Sequence, residues 1–152
     1  VSLADCMPIS ANFESSGDLV VLCEDRILRF SNNGEKKKEQ LFDGLSIANA
    51  SLTSRSMASV LLDTYNVGGY SKLLLLKGEK DAKVMNFSED VFSISSSGNY
   101  TAVTFSDRIV VYYADGSEYH TFPLSQSARS CIMREDGTVF AIGNNYATLL
   151  IP

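Results

Sequence analysis

A rhythm of about forty residues runs through this chain, and it confines the fold to architectures that repeat one supersecondary unit. Gly17, Ala58, Gly98 and Gly137 each introduce a strand-like run and stand 41, 40 and 39 residues apart. The likeness is clearest between Ser15-Ser16-Gly17-Asp18-Leu19-Val20-Val21-Leu22 and Ser96-Ser97-Gly98-Asn99-Tyr100-Thr101-Ala102-Val103, each followed by an Asp-Arg pair, Asp25-Arg26 and Asp107-Arg108. Within each unit a β-run, a polar turn, an apolar run, a second turn, another apolar run and an Asx-Gly-type turn follow one another. Units of about 40 to 45 residues with four strands are the pattern of a β-propeller blade.

The fold class predicted is therefore all-β, a propeller of about four blades at residues 7–44, 45–90, 91–126 and 127–152 of a single domain or half-propeller. The last blade has sequence for only three strands. In the third, the first strand is placed at Val91–Ser95, leaving Ser96-Ser97-Gly98-Asn99 as turn. Asn33-Gly34 and Asp115-Gly116 are read as type I′ hairpin dipeptides, in which both central residues take positive φ. No segment carries a helical apolar stripe, and runs of four to eight β-branched, leucine and aromatic residues dominate.

Composition narrows the function. With 45% hydrophobic and 20% charged residues the chain has enough apolar material for one core. A net charge of −5 argues against a nucleic-acid surface, which needs clustered Lys and Arg. The one basic run, Lys36-Lys37-Lys38, is flanked by Glu35 and Glu39 and reads as a solvated outer strand. No stretch of eighteen apolar residues exists, so this segment itself makes no membrane contact. Val1-Ser2-Leu3-Ala4-Asp5 lacks the features of a secretory signal, and the missing initiator Met leads us to expect a segment cut from a longer chain.

Catalytic candidates are few. Cys6, Cys23 and Cys131 have no metal-ligand spacing and are read as free thiols, with a disulfide only if the fold brings two within reach. His120 is the single histidine, so no multi-histidine metal site exists; no metal and no cofactor are expected. Ser95-Ser96-Ser97-Gly98-Asn99 lacks the strand-to-helix context of a nucleophile elbow, and Gly68-Gly69 is read as a hairpin rather than a phosphate loop. Asn49, Asn86 and Asn99 open glycan-acceptor triplets that matter only in a eukaryotic secretory pathway. Asp25, Asp63 and Asp107 fall at equivalent blade positions, between second and third strands. Around a channel, they would support a hydrolase or lyase; as turn-formers, each would serve its own hairpin.

The run Asp63-Thr64-Tyr65-Asn66-Val67-Gly68-Gly69-Tyr70-Ser71-Lys72-Leu73, with Leu19-Val20-Val21-Leu22-Cys23-Glu24-Asp25-Arg26-Ile27 and the later Asp-Gly-x-Glu turn, resembles a bacterial family of membrane-anchored β-propellers of unknown function, with blades of the WD or PQQ-like kind. In that family a short cytoplasmic piece and one transmembrane helix precede an external propeller longer than this chain. The resemblance implies a place on the outer face of a bacterial cell envelope and supplies no catalytic residues.

The functional reading is thus a non-enzymatic interaction or scaffold module for a protein, peptide or glycan partner, with the carboxylate enzyme as alternative. Tyr65, Tyr70 and Tyr119 are the candidate interaction surface, and Tyr112 and Tyr113 offer further aromatic area. Three blades and part of a fourth leave apolar faces to cover. Val1–Ala4 closing a four-bladed ring, self-association into a homo-oligomer, and a missing propeller half are the three ways to do so, the last two being preferred.

Overall fold

The computed structural model describes residues 3, 5–53, 57–63 and 70–152. Among the described residues there are fifteen strands: β1 (Pro8–Phe13), β2 (Leu19–Cys23), β3 (Arg26–Phe30), β4 (Lys36–Leu41), β5 (Ser46–Leu52), β6 (Met57–Asp63), β7 (Ser71–Lys77), β8 (Lys83–Phe87), β9 (Ser93–Ser97), β10 (Tyr100–Thr104), β11 (Arg108–Tyr113), β12 (Glu118–Pro123), β13 (Ser130–Met133), β14 (Val139–Ile142) and β15 (Ala147–Leu150). They form four antiparallel meanders in chain order, β1–β4, β5–β8, β9–β12 and β13–β15, the last with three strands.

The two middle strands of each of the first three blades are largely apolar on both faces because both faces are covered, with Arg29, Ser59, Ser71, Thr101 and Thr104 as buried polar exceptions. Val20, Leu22 and Ile27 of blade 1 pack on Ala58, Val60, Leu62, Leu74 and Leu76 of blade 2. Met57, Leu61, Leu73 and Leu75 turn the other way onto Ile94, Val103, Phe105 and Val110 of blade 3. Blade 3 in turn presents Ala102, Ile109, Val111 and Phe122 to Cys131, Met133, Val139 and Ala141 of blade 4. Each fully buried Leu, Ile or Val contributes about 1.5–3 kcal/mol, so these three seams carry the fold. Outer strands such as Lys36–Leu41 see solvent and are polar.

Hydroxyl groups stitch the inner strands together. The Ser96 backbone N–H donates to Ser51 Oγ at 3.0 Å, joining β9 to β5. One blade further on, the N–H groups of Cys131 and Met133 donate to Ser93 Oγ at 3.1 Å and Ser95 Oγ at 3.0 Å. Ser96 Oγ also sits 2.6 Å from Ser59 Oγ and 2.7 Å from Thr101 Oγ1, all buried. The serine-rich run is therefore strand, and β9 extends through Ser97, two residues beyond its expected end. Its hairpin is only Gly98-Asn99, since Ser97 pairs with Tyr100. Gly98 at φ 60° suits the first central position of a type II′ turn.

The Asx-Gly turns differ from expectation. Among the described non-glycine residues only Asp43 has positive φ, so Asn33 and Asp115 are not in type I′ turns. Gly34 and Gly116 donate to the carbonyls of Ser31 and Tyr113, three residues back, while Ser31 and Tyr113 donate to Glu35 and Ser117. This is a three-residue loop, a type I turn closed by a left-handed glycine bulge, and it places the one positive φ on glycine.

Two terminal features bear on closure. Leu3 and Cys6 pack against Val21, Cys23, Leu28 and Phe30 on the face of blade 1 turned away from blade 2. Val1, Ser2 and Ala4 lie outside the described residues. On blade 4, Ile132 pairs with Phe140 and Phe140 with Leu149, a cross-strand row that is 53%, 38% and 40% exposed.

Candidate functional site

In a meander, the turns between first and second and between third and fourth strands emerge at one end, and the turn between second and third strands at the other. Asp25 and Asp107 occupy that second end, where each is held by the arginine after it. Arg26 grips Asp25 through Nε at 2.9 Å and Nη2 at 2.7 Å, and reaches Glu39 at 2.7 Å. Arg108 holds Asp107 at 2.7 Å and Glu89 at 2.5 Å, with its guanidinium 4.5 Å from the Phe105 ring centre. These hydrogen bonds lower the Asp25 pKa and raise that of Arg108, with Glu89 the larger influence on the arginine. Asp63 accepts from Ser71 Oγ at 2.7 Å across its own hairpin. Each carboxylate is thus engaged inside its own blade or by the adjoining loop. Among the described residues no group of three or more His, Cys, Asp or Glu side chains is arranged to hold a metal. His120, half-buried on β12, lies 4.5 Å from the Phe122 ring centre.

The other end of the blades is richer. In β4, Arg29 pairs with Lys38 and Phe30 with Lys36, so Lys37 is an extra, bulged residue. In β12, Val111 pairs with His120 and Tyr112 with Glu118, which makes Tyr119 the equivalent bulge. A bulge re-aims its side chain, and both residues reach across to neighbouring elements. Lys37 bridges Asp18 at 2.9 Å and Glu79 of blade 2 at 3.0 Å. Tyr119 lies on Gly137 of blade 4 and joins Tyr100 and Tyr113 in a three-ring cluster with centres 4.8 to 5.4 Å apart. Burial, then the neighbouring Tyr119 and Tyr113, raise the Tyr100 pKa.

The basic run carries little free charge. Lys36 pairs with Glu39 at 2.8 Å, Lys37 is bridged as above, and Lys38 takes Asp81 at 3.0 Å together with the Glu79 and Lys80 carbonyls. Uncompensated charge lies elsewhere. A cleft of about 650 Å³ opens between the β7–β8 turn of blade 2 and the β9–β10 and β11–β12 turns of blade 3. Its apolar lining is Leu75, Ala82 and Ala114, its aromatic wall Tyr100 and Tyr113, and its cationic rim Lys77, Lys80 and Lys83. Among the described residues none of these three lysines has a carboxylate within ion-pairing distance, although Lys83 lies close enough to Asp115 to help lower its pKa. Lys77 instead donates to Asn99 Oδ1 at 2.7 Å across the blade junction. Volumes of roughly 300–1,000 Å³ are typical of small-ligand pockets.

Of the aromatic residues singled out by sequence, Tyr119 is in the three-ring cluster. Tyr70, 66% exposed at the start of β7, stands at the opposite end of the blades and shares no surface with it. Tyr65 lies outside the described residues, as does Gly68-Gly69. Tyr112 points toward Phe87, ring centres 6.3 Å apart, and burial raises its pKa. Lys77, Lys80, Lys83 and Tyr100 went unremarked in the sequence, because only the docking of two blades brings them together.

No protein-family model matches the chain, and no curated protein matches it in sequence. Solved structures do match in fold. Hsv2 of Kluyvelomyces marxianus aligns with 96% of this chain and 47% of its own, at TM-score 0.67 and 14% identity. BBS1N, solved in complex with ARL6DN, aligns with 99% of this chain and 53% of its own, at TM-score 0.63 and 13% identity. The computationally designed Ika4 protein aligns with 98% of this chain and 94% of its own, at TM-score 0.63 and 9% identity. The chain thus spans about half the length of the two natural propellers. Likeness at these identities concerns fold alone: the chain builds about four blades of a β-propeller.

Proposed function

We propose that this chain is a non-enzymatic interaction module whose blades hold a protein partner at the end that carries the tyrosine cluster. The cleft between blades 2 and 3 supports the reading: it combines an apolar floor, exposed aromatic area and cations without carboxylate partners along the β7–β8 hairpin, the mixture found at recognition surfaces. BBS1N, a fold relative, was itself solved with a protein bound. The hydrolase or lyase alternative is not favoured, since Asp25, Asp63 and Asp107 are each engaged within or beside their own hairpin. Placement on the outer face of a bacterial cell envelope belongs to the same proposal and rests on the family resemblance.

A photo-crosslinking amino acid at position 113, in the cleft, tests the module reading against one at position 70, at the far end. In cells expressing the chain in its native setting, a discrete protein adduct is expected from position 113 only. Adducts equally strong from both positions, or none from position 113, would reject the placement. Labelling of intact cells with a membrane-impermeant amine reagent tests the location: the lysines should react without lysis.

A further inference from the structure

We propose that the cleft between blades 2 and 3 receives an acidic peptide segment of the partner, its carboxylates pairing with Lys77, Lys80 and Lys83 and an apolar side chain resting against Tyr100 and Tyr113. This rests on the interaction-module reading and names the chemistry of what is held.

Charge is the first argument. The chain carries −5 overall, and its Lys36-Lys37-Lys38 run is satisfied by Glu39, Asp18, Glu79 and Asp81. The three cleft lysines are left without such partners among the described residues, so a positive rim stands out against an acidic body. Asp81, on the cleft wall, is bound by Lys38 of blade 1 at 3.0 Å, and Asp115 accepts from the Ser117 N–H at 2.9 Å and hydroxyl at 2.6 Å. Both wall carboxylates are exposed but already engaged, Asp81 by Lys38 and Asp115 by Ser117, which lessens their opposition to an incoming anion.

Lining chemistry is the second. A polyhydroxylated sugar donates through its hydroxyls and needs acceptor side chains, yet the acceptor oxygens here, Asn99 Oδ1, Asp115 Oδ1 and Asp81 Oδ1, are already engaged by Lys77, Ser117 and Lys38. Leu75, Ala82 and Ala114 offer none. An anion with an apolar side chain matches what remains: ammonium groups for the carboxylates, and two tyrosine rings for an aliphatic or aromatic group. An acidic peptide supplies both on one short strand.

The test is fluorescence anisotropy on the full chain with a fluorescein-labelled peptide rich in Asp and Glu with a central Phe, beside a counterpart with every acid replaced by Lys. The acidic peptide should bind, the basic one should not, and affinity should fall as salt is raised. A combined Lys77→Gln, Lys80→Gln and Lys83→Gln variant should bind at least about tenfold more weakly with a flatter salt dependence. Lys36→Gln, Lys72→Gln and Arg129→Gln together, with the same charge change elsewhere, should leave binding within about twofold. Tyr113→Ala should weaken binding while keeping the salt slope, which separates the aromatic contact from the ionic one. Failure of the acidic peptide to bind, equal losses in both triple variants, or tighter binding of an oligogalacturonate probe would overturn the proposal. A discrete adduct from position 113 alongside that failure would leave the module reading standing and reject only the acidic ligand.

Discussion

Tyr119 lies over Gly137 so closely that a methyl group added to the glycine would meet the ring Cε1 at 3.1 Å and the hydroxyl oxygen at 3.2 Å. The contact joins the bulge of blade 3 to a turn of blade 4, so it reports directly on whether adjacent blades are docked.

Gly137 and Gly44 separate backbone strain from crowding. Both have positive φ, 89° and 79°, but nothing lies within 4 Å of a Cβ at Gly44. Gly44→Ala should cost only the left-handed penalty, about 1–2 kcal/mol. Gly137→Ala adds displacement of the Tyr119 ring, for about 2–4 kcal/mol in all. Urea unfolding of the two variants, repeated in a Tyr119→Ala background, checks this: there the Gly137→Ala cost should drop to that of Gly44→Ala. An unchanged cost would mean that the ring contact has no energetic weight.

Much of the architecture is legible in the sequence, for physical reasons. Val20-Val21-Leu22 and Leu73-Leu74-Leu75-Leu76 read as buried strands because a blade covered on both faces demands unbroken apolar runs. The propeller repeat itself follows from that demand recurring about every forty residues. Ser96 and Ser97 misled because serine favours turns by local hydrogen bonding, whereas here Ser96 spends its hydroxyl on Ser59 and Thr101 within the blade 2–3 seam. The glycine-bulge turns look like type I′ in sequence because both motifs require positive φ at the glycine, and only the extra residue of the loop distinguishes them. Pairing hides the site itself: Lys36-Lys37-Lys38 looks basic in one dimension and is neutralised in three, while Lys77, Lys80 and Lys83 are spread along a hairpin whose facing wall comes from blade 3.

Ser93 is a keystone of the seam between blades 3 and 4. Its buried hydroxyl accepts from the Cys131 N–H at 3.1 Å and donates to Thr104 Oγ1 at 3.1 Å. Ser93→Ala leaves that N–H without its acceptor inside the protein and should cost about 1–3 kcal/mol. Hydrogen exchange localises the effect: the Cys131 amide should lose more protection than the Leu22 amide of blade 1. Uniform loss across all blades would mean that the seam has no stability of its own.

Asp115 and Asp136 do the same task in successive blades. Asp115 accepts from Ser117, as described, and Asp136 from the Thr138 N–H at 3.0 Å and hydroxyl at 2.6 Å. Those bonds favour the charged form and hold both carboxyls below their ordinary 3.8. A carboxyl with a lowered folded pKa adds stability that is present above its unfolded value and is lost as pH falls through the folded one. The melting temperature should therefore fall as pH drops below about 4, and Asp115→Asn combined with Asp136→Asn should make that fall shallower. An acid limb unchanged by the double variant would show that these turns do not contribute to it.

Cys23 is fully shielded from solvent in the first blade, with Cys6 packed beside it. Burial first, then the hydrogen-bonding contact with Cys6, pushes the Cys23 thiol from 9.0 up to about 12. The reactive thiolate is therefore scarce near neutral pH, so native Cys23 should resist N-ethylmaleimide at pH 8 and react only at strongly alkaline pH. Cys6→Ser should preserve most of this resistance, because burial is the larger cause. The linkage runs in the same direction: a group whose folded pKa is raised contributes stability that is present below pH 9 and lost as pH rises towards 12. The stability advantage of the native chain over a Cys23→Ala variant should accordingly shrink across that window. Rapid alkylation of Cys23 at pH 8, located by peptide mass mapping on the folded protein, would show that the N-terminal segment does not shield this thiol as the packing of Leu3 and Cys6 requires.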